Sequence, residues 1–74
     1  MTEDHTALQA FGQRVRSVRG ASGLSQESMA HRCGLHRTYY SAIERGERNV
    51  SLLNLLKLAR GLSVDPGQLV AGLA

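Results

Sequence analysis

The apolar residues of the chain recur at helical spacing, and no strand-like alternation runs longer than a few residues. Leu8, Phe11, Val15 and Val18 fall on one face of a 3.6-residue period. Thr6, with Gln9 three residues on, has the pattern of a capping box, and predicts a first helix from about Ala7 to Ala21, with residues 1–6 flexible before it. Gly23 follows at the position of a left-handed C-terminal cap. Ser25 caps a second helix that ends before Gly34, and a third runs from His36 to about Arg45 and ends before Gly46. Ser51 opens a fourth, to about Gly61. Asp65-Pro66 opens a fifth, with Asp as the cap and Pro at the first helical position. Five helices with short connections predict a compact all-α domain occupying residues 1–74.

The same pattern assigns a core. Met29, Ala30, Leu35, Tyr40 and Ile43 are the apolar positions of the second and third helices, with Ala30 small where the two would cross. On a 100° wheel the fourth helix turns Leu52, Leu55, Leu56, Ala59 and Leu62 inward, and Leu24 adds to them. Tyr40 is the unusual member, because a buried hydroxyl needs a partner or a route to water. Gly20, in a helix interior, costs about 1 kcal/mol against Ala.

Composition narrows the class. The 74 residues fit one domain, and a chain this size buries only ~60 % of its unfolded surface, so it gains from a partner subunit. Cys33 is the only cysteine, which excludes an internal disulfide and fits a reducing, cytoplasmic compartment. No apolar run approaches the ~20 residues of a membrane span, and the acidic start MTEDHTALQ is unlike a signal peptide. Net charge is only +3, but Lys57 is the single lysine among nine Lys and Arg. Arginine suits bidentate contacts to phosphate and guanine, although an Arg-rich surface alone has the same composition. His5, His31, His36 and Cys33 lack the pairing of a metal motif. No nucleophile–base–orienter set is visible, so no enzyme, metal, cofactor or small-molecule ligand is expected.

Residues 25–45 carry the functional signal: two short helices joined by a tight turn at Cys33-Gly34-Leu35, the layout that presents one helix to the major groove of double-stranded DNA. Here the chain resembles the XRE class of helix-turn-helix regulators, the class of the lambdoid phage repressors. The stretch RTY-S-IERG-RN-SL, Arg37 to Leu52, resembles in particular the controller proteins of restriction–modification systems. The resemblance runs from about Phe11 to Val70. It implies a lambda-repressor-like domain with a helix-turn-helix formed by helices 2 and 3.

Arg37, Thr38 and Ser41 lie at i, i+1 and i+4 on the outward face of the third helix, opposite Tyr40 and Ile43. By resemblance these positions read bases, Arg37 by donating to guanine O6 and N7. Tyr39 either packs beside the turn, stacks on the sugar–phosphate edge or reaches bases; we place it with the base contacts. Gln26 opens the second helix, where free N–H groups and the helix dipole attract a phosphate, and the resemblance implies a backbone contact there. Ser25, Arg45, Arg48 and Asn49 join it as phosphate candidates. His36, a weak cap by type, joins them too, with tighter binding expected once protonated. The resemblance also implies a structural ion pair between Arg19 and Glu44.

A palindromic site needs two recognition helices ~34 Å apart, so a homodimer is expected. Val64, Leu69, Val70 and Leu73 exceed what one side of a short helix must bury, and residues 63–73 are the expected dimerisation segment. Leu53, between Lys57 and Arg60 on the wheel, is an outlying candidate. The controller resemblance further implies activation at low occupancy and repression at high occupancy, with RNA polymerase as a partner. The alternatives are an antitoxin or a phage-type repressor acting chiefly on another protein. Only residues 1–6 are spare to wrap a toxin, which counts against the antitoxin.

Overall fold

The structure, a computed structural model, describes residues 2–74. Among them the chain forms five helices and no strand: α1 (Thr2–Ser22), α2 (Gln26–Cys33), α3 (Arg37–Glu44), α4 (Leu52–Leu62) and α5 (Pro66–Val70). The caps are those that local chemistry demands. Ser25 Oγ accepts from the Ser28 amide and Ser51 Oγ from that of Asn54. Asp65 accepts from the Gly67 amide ahead of Pro66. Gly34 ends α2 at φ 70°, and its neighbours close a Schellman turn in which the Leu35 amide donates to the Ala30 carbonyl at 2.9 Å. Ser63 ends α4 in the same way, at φ 60° without being glycine.

One boundary departs from expectation. α1 begins at Thr2, not Ala7, so the Thr6 capping box does not form; residues 2–6 are helical, and Met1 lies outside the described residues. Asp4 sits in the first turn, where the helix dipole favours a carboxylate, and Thr6 is an ordinary interior residue.

α2 packs on α3 and α4, while α1 runs behind against α3, α4 and α5. Phe11, Val15, Met29, Ala30, Cys33, Tyr40, Ile43, Leu58, Ala59, Leu62 and Leu69 form the core. Two glycines permit the closest helix approaches. A Cβ on Gly12 would run into the Ile43 carbonyl oxygen, and one on Gly61 into Cys33 Sγ. The phase of α4 corrects the wheel. Leu58 is fully buried, whereas Leu52, the first residue of the helix and a turn short of Leu55, is 69 % exposed beyond the edge of the core. Leu69 is only 1 % exposed, so it belongs to the core and is not free to line a dimer interface. No helix among the described residues is long and apolar enough to cross a membrane.

Candidate nucleic-acid interface

The N-terminal turn of α3 is the most open part of the helix-turn-helix. Arg37 and Thr38 are exposed, and among the described residues no hydrogen bond or ion pair holds the Arg37 side chain. Further along α3, Tyr40, Ala42, Ile43 and Glu44 are all buried, so the helix is anchored through its C-terminal half and open at its first turn.

His36 is a working cap. Its Nδ1 accepts from the Thr38 amide at 3.2 Å, which requires that nitrogen to be unprotonated and puts the imidazole proton on Nε2. That tautomer leaves Nε2–H without a partner among the described residues.

Ser41 and Tyr39 are less open than their spacing suggests. Ser41 is half-buried, and its hydroxyl donates to Gln26 Oε1 at 2.9 Å. Tyr39 packs its ring against the core and accepts at Oη from Asn54 Nδ2 at 2.9 Å, bracing α3 on α4. It occupies the edge between α3 and the start of α4, away from the open face, and its own hydroxyl proton is still free to donate.

Behind this face lies a polar cluster from three helices. Arg19 Nε donates to Glu44 Oε2 at 2.7 Å and Arg19 Nη2 to Oε1 at 3.1 Å, a two-point pair, while Nη1 donates to the Leu24 carbonyl at 3.0 Å. Gln26 Nε2 adds a bond to Glu44 Oε1 at 2.9 Å. The Glu44 side chain is 2 % exposed. Burial pushes its carboxyl up, but the bonds from Arg19 and Gln26 outweigh that and hold it below the usual carboxylate range. The carboxylate of this pair is enclosed, whereas the Arg19 side chain is 17 % exposed. Tyr40 lies beside it, fully buried, with no hydrogen-bond partner at Oη. Burial first, and then the Glu44 carboxylate, raise its ionisation far above the ordinary tyrosine range, so the hydroxyl stays neutral.

The phosphate candidates flank α3 on both sides. Ser25 is exposed, its oxygen accepting from the Ser28 amide while its proton goes to Ser28 Oγ at 3.1 Å. On the other side, Arg48 and Asn49 are exposed ahead of α4. Arg45 is exposed too but pairs with Glu47 at 3.1 Å. Sequence reasoning passed over Arg32, whose Nε donates to the Gly61 carbonyl at 2.9 Å, a cation at the C-terminus of α4.

An open helix N-terminus with unpaired arginine, flanked by two further helix N-termini, matches the docking geometry of a recognition helix. The comparisons decide the family: a helix-turn-helix family model matches residues 15–69. The chain belongs to the helix-turn-helix regulators of XRE type. Such proteins are DNA-binding transcription regulators, not enzymes. Among similar proteins, control protein C.BamHI of Bacillus amyloliquefaciens is 54% identical over 61 residues, 81% of this chain and 75% of the relative. Control protein C.MunI of a Mycoplasma species is 48% identical over 60 residues, 80% of this chain and 81% of the relative. The crystal structure of the restriction–modification controller protein C.AhdI from Aeromonas hydrophila superposes with a TM-score of 0.82 at 55% identity, covering 84% of this chain and 94% of that one.

Proposed function

We propose that this regulator binds a pseudo-palindromic operator as a homodimer and controls restriction–modification genes, with RNA polymerase at the adjacent promoter as its further partner. The observation that carries the reading is the exposed, unpaired Arg37–Thr38 turn of α3 on a helix anchored from behind. Arg37 donates to guanine in the major groove and Thr38 contacts its neighbour. Gln26, the Nε2–H of His36, Arg45, Arg48, Asn49 and the Tyr39 hydroxyl hold the DNA backbone, while Ser25, its proton given to Ser28, serves as the cap of α2. The names of the controller relatives support the assignment to restriction–modification genes.

The molecule measures 32 × 23 × 22 Å, too small for one copy to serve two half-sites ~34 Å apart. Leu52, Leu53 and Val70 are large apolar residues left 69 %, 71 % and 41 % exposed. Beside Val70 runs an apolar groove lined by Leu8, Phe11, Val50, Leu55 and Leu73. This surface, together with the half-buried Val64, is the proposed two-fold interface.

The test is selection from a random duplex library at about 0.15 M salt, a condition at which non-specific binding is weakened, with Arg37→Ala in parallel. The expected result is a two-fold motif with guanines in each half, relaxed at those positions by Arg37→Ala. Weak, salt-sensitive binding without a motif would remove the base-reading role. Sedimentation showing only monomer at tens of micromolar, alone and on the selected DNA, would remove the dimer.

A further inference from the structure

We propose that Ser41 is a positioning residue for Gln26 and reads no base. The proposal rests on the reading of Gln26 as a backbone contact. Donor and acceptor chemistry forces it, one link at a time. Glu44 is an ionised carboxylate gripped at two points by Arg19, and a carboxylate only accepts. The Gln26 group 2.9 Å from Glu44 Oε1 must therefore be the NH₂ end of the amide. Flipping the amide would set its carbonyl oxygen against the carboxylate. With the NH₂ end so placed, Gln26 Oε1 faces Ser41, and the hydroxyl 2.9 Å away must donate.

The donations thus converge on Glu44, from Arg19 on one side and from Ser41 through Gln26 on the other, an order set at the carboxylate. Two consequences follow at the DNA face. The single Ser41 proton is spent inward on a half-buried side chain, so it cannot be given to guanine O6, thymine O4 or a phosphate. Gln26 is held at both ends of its amide while Glu44 takes only one of its two N–H bonds. The other is left as a donor in a fixed direction at the start of α2, where free backbone amides already favour an anion. Ser41 and Glu44 remove the rotational freedom the glutamine would otherwise lose on meeting a phosphate.

The experiment is a double-mutant cycle on the selected operator and on duplexes changed at each half-site position, using Ser41→Ala, Gln26→Ala, the double variant and Ser41→Thr. One neutral hydrogen bond sets the scale: Ser41→Ala is expected to weaken binding about 3- to 10-fold, by the same factor on every duplex, with the motif unchanged. In the Gln26→Ala background the same substitution is expected to do nothing further. Ser41→Thr, which keeps the donor, is expected to restore most of the loss. Thermal melts of each variant separate a folding defect from a binding one. A Ser41→Ala variant that relaxes one base position, that weakens binding equally without Gln26, or that binds like the parent overturns the proposal. Those results leave the regulator reading standing; a parent protein that selects no motif overturns both.

Discussion

Removing Arg19 tests the frame that holds the recognition helix. Its guanidinium makes two bonds to Glu44 and one to the Leu24 carbonyl, and the carboxylate it serves is 2 % exposed. Arg19→Ala leaves that charge buried with Gln26 as its remaining hydrogen-bonded donor. Stranding one member of a buried pair costs ~3–5 kcal/mol. The surviving Gln26 bond and the option of protonating Glu44 put this case near the lower end, about 3 kcal/mol. For a domain of this length, with a total stability of about 4–11 kcal/mol, that is a severe loss. It corresponds to a fall in Tm of about 12–24 °C. The assay is urea unfolding followed by circular dichroism, repeated from pH 7 to pH 4. In the parent, the Glu44 carboxyl titrates below its unfolded value, so its contribution is complete above the unfolded value and is lost as pH falls through the folded one. In Arg19→Ala, burial acts with much less opposition and raises the folded value above the unfolded one. Protonation then favours the folded state, and the gap between variant and parent should narrow as pH falls. Adding Glu44→Gln should abolish that narrowing. A cost below about 1 kcal/mol, the scale of an exposed pair, or a gap that does not change with pH, would refute the reasoning.

Further substitutions at Gly20, Tyr40 and Gly61 read local backbone and packing effects. Gly20→Ala should stabilise the domain by about 0.5–1 kcal/mol in the same assay, since Gly20 is exposed within α1 and nothing lies within 4 Å of its missing Cβ; an unchanged midpoint would count against it. Tyr40→Phe should cost under about 1 kcal/mol, because the hydroxyl it removes is buried without a partner. Tyr40→Ala should cost about 3–5 kcal/mol for the cavity it leaves, and a Phe variant as damaged as the Ala one would mean the hydroxyl is bonded. Gly61→Ala should cost about 1–3 kcal/mol by overpacking. Cys33→Ala should rescue it only in part, since Cys33 Cα and N also lie 2.9 and 3.0 Å from the added carbon.

What was legible in the sequence, and what was not, divides by the range of the interaction. Caps and turns are decided within a few residues, so Ser25, Gly34, Ser51 and Asp65-Pro66 could be placed from their neighbours alone. The phase of α4 could not. Leu52 and Leu58 are both leucines near the apolar stripe, and which one is buried depends on where the covering helices stop. The glycines at 12 and 61 gave no signal in the sequence, because their reason is a backbone or side chain 31 or 28 residues away. The excess of apolar residues around α5 was visible, but Leu69 turned out to be needed at home, and the exposed surplus lies at Leu52, Leu53 and Val70.

The same division bears on how the binding face is built. Spacing along one helix put Arg37, Thr38 and Ser41 on one side, and by that criterion they are equivalent. The contact that separates them joins residues 15 apart, from the third helix back to the first turn of the second. It turns Ser41 inward, whereas the exposed Arg37 side chain has no hydrogen-bond partner among the described residues. A helical wheel reports which side chains share a face, but only the direction of each hydrogen bond says which of them still has a donor to offer. In this domain that direction is set by a buried charge pair behind the face. Arg19 and Glu44, behind the face, therefore set which end of the Gln26 amide meets Ser41 and which of its N–H groups stays free.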